Sequence, residues 1–121
     1  MVYADPNGAA DLLRASVLFN TSVSATNDCD VYYDSFAGLL NLFNDAGTAT
    51  TTLTPGSGSI SNSQCTVTGA GSSVKSSGNN LTLTLEVTFS GKVTGSQNIY
   101  MNATEYSDLT SGWVKKGTWT P

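Results

Sequence analysis

At 121 residues, with 12% charged side chains and a formal net charge of −4, the chain has the length of one domain and a surface solvated by Ser, Thr, Asn and Gly more than by ions. Its five Lys and Arg are scattered over Arg14, Lys75, Lys92, Lys115 and Lys116, so no basic patch exists to neutralise a phosphate backbone and nucleic acid is not expected as a partner. No apolar run approaches the ~20 residues of a membrane span, and the absence of His removes the commonest general base and metal ligand.

The N-terminus lacks a signal-peptide core, and Met1 runs directly into strand-like residues, which suggests a chain cut from something longer with its export signal left behind. Val2, Tyr3 and Ala4 read as the end of a strand. Asp5-Pro6-Asn7-Gly8 follows as a turn, with Pro presetting φ and Asn and Gly tolerating the left-handed region. Residues 9–15 resemble a helical turn too short to nucleate, and residues 13–20 read as a strand with Ala15, Val17 and Phe19 inward.

After a polar loop over 21–28, residues 29–34 alternate, with Cys29, Val31 and Tyr33 inward and Asp30, Tyr32 and Asp34 outward. Residues 39–43 form the return arm of a hairpin, ended by the turn at Asn44-Asp45-Ala46-Gly47. Residues 48–53 suit a short edge strand. Residues 54–64, broken by Pro55, Gly56 and Gly58, read as loop, and 69–80 as a connection leading onward. Cys65-Thr66-Val67 is a short strand.

The clearest pattern lies at 81–90. Leu81, Leu83, Leu85, Val87 and Phe89 alternate without a fault against Thr82, Thr84, Glu86, Thr88 and Ser90, the signature of an antiparallel strand with one dry and one wet face. In residues 98–105, Ile99, Met101 and Ala103 alternate with Asn98, Tyr100, Asn102 and Thr104. Residues 113–120 close the chain as a strand whose Trp113 and Trp119, an even number of residues apart, share a face. About seven or eight short strands joined by Gly, Ser, Asn and Pro turns spell an all-β fold, a two-sheet antiparallel immunoglobulin-like sandwich over residues 1–121 as a single domain.

Two cysteines in such a chain read better as one disulfide, Cys29 to Cys65, than as a zinc site needing about four ligands. Closing that loop would stabilise the fold by about 4 kcal/mol. The pairing points to an extracellular or cell-surface setting.

The blocks Tyr3-x-Asp5-Pro6-Asn7-Gly8-Ala9-Ala10-Asp11-Leu12, Asn44-Asp45-Ala46-Gly47-Thr48, Asn62-Ser63-Gln64-Cys65-Thr66-Val67, Gly71-Ser72-Ser73-Val74, Ser111-Gly112-Trp113 and Gly117-Thr118-Trp119 resemble a repeat domain of large secreted proteins of environmental bacteria, acidobacteria especially. The resemblance covers nearly the whole chain. It implies a sandwich similar to immunoglobulin-like and fibronectin-like domains, an extracellular setting, neighbouring domains or copies of itself as partners, and no reaction. It also implies an apolar segment and a further strand ahead of the Tyr3 block. This chain opens almost at that block, so an N-terminal strand is expected to be missing and its edge left open to strand addition from another chain.

Several constellations carry candidate chemistry. Asp5, Asn7 and Asp11, with Asp45 or Asp108 from other loops, supply the hard oxygen ligands of calcium; equally, Asp5 and Asn7 simply cap their turn. No other cofactor is expected. Tyr32, Tyr100 and Tyr106 form a candidate glycan-binding set, Tyr32 and Tyr100 being outward, while the tryptophans fit a core role. Asp28, Asp30 and Asp34 have the residue type for acid–base work, but Asp30 and Asp34 share the wet face of a strand, where they are expected to be solvated and unshifted, and nothing supplies the desolvation that raises a carboxyl pKa, so the chain reads as non-enzymatic. A Lys75 or Lys92 cross-link to Asn98 or Asn102 would need a buried lysine, and both lysines fall in or beside turns. The sequons at Asn20, Asn80 and Asn102 are expected by chance in this composition. The leading expectation is a structural or adhesive module for spacing, display or self-association, against a carbohydrate-binding module and a subunit completed by strand exchange.

Overall fold

The computed structural model describes residues 1–21, 28–91, 93–106 and 109–120. Among these residues there are ten strands, more than the sequence suggested: β1 (Val2–Ala4), β2 (Leu12–Asn20), β3 (Cys29–Asp34), β4 (Leu39–Phe43), β5 (Thr50–Leu53), β6 (Ser59–Ser61), β7 (Cys65–Ser77), β8 (Asn80–Phe89), β9 (Gln97–Glu105) and β10 (Val114–Trp119), with a 3₁₀ turn at Ala9–Asp11. They form two antiparallel sheets, a four-stranded one in the order β1-β8-β7-β6 and a six-stranded one in the order β10-β9-β2-β3-β4-β5. The alternation at 81–90 is thus an inner strand of the smaller sheet, and 50–53 is the edge strand its sparse apolar content suggested.

Two elements differ from expectation. The connection at 69–77 is the second half of β7, which bends at an irregularity between Thr68 and Ser73 and then resumes pairing with β8. Small residues at the bend permit a close approach: a Cβ on Gly69 would run into the Ser57 backbone, and one on Gly71 into the Glu86 side chain. At the C-terminus the strand begins at Val114, and the register slips between Lys115 and Gly117. A bulge breaks the period of two, so Trp113 and Trp119 do not share a strand face and Trp119 is 52% exposed.

Leu12, Val17, Val31, Leu40, Leu42, Val67 and Leu83 fill the space between the sheets, each essentially inaccessible. Buried aliphatics of this kind contribute roughly 1.5–3 kcal/mol apiece. Tyr3 enters the core from β1 and donates its hydroxyl to the Ser16 carbonyl on the opposite sheet at 2.7 Å; burial pushes its phenol pKa up.

The two ends of the sandwich are fastened differently. At one end Cys29 is bridged to Cys65 with Cα atoms 5.8 Å apart, and Phe19 meets Phe89 edge-to-face at 5.3 Å. Asn62 supports this end: its Nδ2 donates to the Asp28 and Phe43 carbonyls, and its Oδ1 accepts from the Gln64 and Cys65 N–H groups. At the other end the 3₁₀ turn packs under the β7–β8 hairpin, with Asp5 and Ala9 N–H groups donating to the Asn79 and Gly78 carbonyls.

Candidate functional site

Three places carry chemistry beyond packing. The first is the free edge of β8. Its ladder with β1 covers only Asn80 to Thr82, extended one step by Met1, which exchanges two 2.8 Å hydrogen bonds with Leu83. Alternation along the strand turns the N–H and C=O of Leu85, Val87 and Phe89 to the same side as those of Leu83. No strand lies there among the described residues. The side chains register the difference: Leu81 and Leu83 are buried, whereas Leu85, Val87 and Phe89 are half-buried and line an apolar slot of about 180 Å³ with Met1, Phe19 and Trp119. Five apolar groups do point to the dry face, but only the half beside β1 is sealed.

The second is the outer face of the six-stranded sheet. Register places Arg14, Ser16 and Leu18 of β2 opposite Asp34, Tyr32 and Asp30 of β3, and Leu18 opposite Tyr100 of β9. Tyr32 and Tyr100 therefore share a face, as their outward parity implied. Tyr106, at the end of β9, lies apart from them, its hydroxyl 3.4 Å from that of Ser35. The Tyr32 ring is already engaged by the Arg14 guanidinium, 4.9 Å from its centroid, and by Phe43 at 5.6 Å. Unlike an ordinary wet face, this one contains a fully buried Leu18 and a buried Asn41. For Asp30 the expectation of a solvated, unshifted carboxylate fails: burial, and then the charge of Asp28, push its pKa up to about 7. Burial also raises Asp28 to about 6, the proximity of its own main-chain N–H opposing the rise. Asp28 is 2% exposed, and neither carboxyl oxygen has a partner among the described residues. Asp34 instead caps its turn, Oδ1 accepting from the Phe36 and Ala37 N–H groups.

The third is an acidic cluster at the end away from the disulfide. Asp5, Asp11 and Glu105 bring carboxylate oxygens within 4.8 Å of one another. Asp5 follows β1, Asp11 ends the 3₁₀ turn, and Glu105 ends β9 opposite Leu12. Of the expected calcium ligands, Asp5 and Asp11 are brought together and Asp108 lies outside the described residues. Asn7 takes part through its backbone, its N–H donating to Asp5 Oδ1 at 2.8 Å, which is the turn-capping role, and its side chain is exposed. Asp45 is elsewhere, its Oδ1 accepting from the Ser63 N–H and hydroxyl. Glu105 was missed in the sequence because only the β2–β9 register brings it to Asp11. Of the cross-link candidates, Lys75 is exposed near the end of β7, beside the turn into β8, and Lys92 lies outside the described residues.

No protein-family model, curated protein or solved structure matches this chain.

Proposed function

We propose that this chain is a non-catalytic structural or adhesive module of the cell exterior that joins a neighbouring copy of itself by strand addition. The observation behind this reading is the edge of β8 past Leu83, where the main-chain groups of Leu85, Val87 and Phe89 meet no partner strand among the described residues and stand beside an apolar slot between the two sheets. An extended strand laid there gains ladder hydrogen bonds from the edge and buries alternate side chains in the slot. The occupant we assign is a strand of a second copy. β1 already occupies the same edge in the antiparallel sense, and the chain resembles domains that occur as repeats beside others of their kind. The Cys29–Cys65 bridge supports an oxidising compartment.

Sedimentation velocity over a concentration series tests the proposal. The expected result is reversible self-association that Val87→Lys abolishes, its charge reaching into the slot, with the monomer's β-sheet circular dichroism kept. A wild-type chain that stays monomeric throughout the series overturns it.

A glycan platform is the second reading, favoured by the shared face of Tyr32 and Tyr100. It has less support, because Arg14 and Phe43 already occupy the Tyr32 ring.

A further inference from the structure

We infer that Asp5, Asp11 and Glu105 form a calcium site that fastens the two sheets together at the end of the sandwich opposite the disulfide.

The chemistry of the donor set selects the ion. All three donors are carboxylates, His is absent from the chain, and both cysteines are consumed in the disulfide. An all-oxygen, anionic donor set suits a hard cation. Calcium takes about six to eight oxygens in flexible geometry, whereas magnesium demands a near-ideal octahedron, so calcium is the ion we assign.

Within this cluster Asp5 is the residue that calls for a counter-ion. It is 2% exposed. Its Oδ1 is taken by the Asn7 N–H at 2.8 Å, and this fixes the plane of the carboxylate. Its Oδ2 is buried and has no hydrogen-bond partner among the described residues. A buried ionised oxygen left unsatisfied is strongly unfavourable, and here the other carboxylates of the cluster add repulsion. A divalent cation among the three answers both problems at once.

The backbone around the ligands is already tied in place. The Asp5 N–H donates to Asn79 and its carbonyl accepts from Gly8; the Asp11 N–H donates to Gly8 and its carbonyl accepts from Tyr106; the Glu105 N–H donates to Leu109. Asp5 and Glu105 open onto a recess of about 230 Å³ whose wall includes Thr110 and Ser111 and, among the described residues, no cationic side chain. That space admits the waters that would complete the coordination shell. Asp5 belongs to the β1 side and Glu105 to the six-stranded sheet, so a bound ion spans the two layers.

Titration calorimetry of the chelator-treated chain with calcium chloride tests the site, independently of self-association. Saturable binding is expected with Kd on the order of 10⁻⁴–10⁻³ M, the range of extracellular modules, together with a higher melting temperature in calcium than in chelator and a smaller effect of magnesium. Glu105→Gln and Asp11→Asn, each nearly isosteric, should weaken binding about tenfold or more by removing a charged ligand. Asp30→Asn, which removes a carboxylate elsewhere, should leave it unchanged. Absence of saturable binding, or equal weakening by Asp30→Asn, overturns the site. The first of these outcomes is read on the wild-type chain and requires no variant to fold.

Discussion

Asp30 shows how far one side chain's surroundings can depart from its strand position. By parity it belongs on the wet face, yet it stands beside fully buried Leu18 and near buried Asp28, and its carboxyl is held protonated to about pH 7. An unfolded Asp ionises near pH 4. Between these values the folded state binds a proton that the unfolded state does not, so stability is greatest at the acidic end and falls as pH rises towards 7. We predict that urea denaturation in chelator gives a more stable chain at pH 5 than at pH 7.5, and that Asp30→Asn removes most of the difference. Discounting for partial exposure, the Asp30 contribution is on the order of 2 kcal/mol. A wild-type chain of equal stability at both pH values would contradict the assignment. The remaining slope in the variant belongs to Asp28, whose carboxyl is raised less.

At the scale of elements, β7 is the informative case. Gly69 lies at its bend, buried, with its N–H on the Gly58 carbonyl and its own carbonyl accepting from Gly56, each at 2.8 Å. Gly69→Ala should therefore destabilise the fold by about 2–3 kcal/mol through overpacking against Ser57, while Ala70→Ser on the exposed neighbour stays within about 0.5 kcal/mol. Chemical denaturation of the two variants separates these outcomes. The same bend explains what the sequence concealed. Strict alternation made β8 legible, and inward parity identified Val17, Val31 and the cysteines. Residues 69–73 carry almost no apolar side chains, so the continuing strand left no periodic trace, and Ser59–Ser61 was too short and polar to read as one. The bulge in β10 similarly defeated the pairing of Trp113 with Trp119. Of the acidic cluster, Asp5 and Asp11 were legible because they are neighbours in the chain. Glu105 was not, because its place depends on a long-range register.

For the whole molecule, the arrangement of fastenings matters more than any one of them. The two terminal strands, β1 and β10, are edges of different sheets, whereas the disulfide joins β3 to β7. When the ends of the chain are pulled apart, tension enters through both edges and passes across the Cys29–Cys65 bond. The residues between the cysteines stay off the load path as long as that bond holds. With 36 residues of separation, the bridge withholds roughly 120 Å of extended chain. Single-molecule stretching should show a longer unfolding extension by about that amount in a reducing buffer, and an equal extension in both buffers would count against it. A covalent bond placed this way acts as a stop: it limits how far the module can lengthen under tension and returns β4, β5 and β6 unextended when the tension is released.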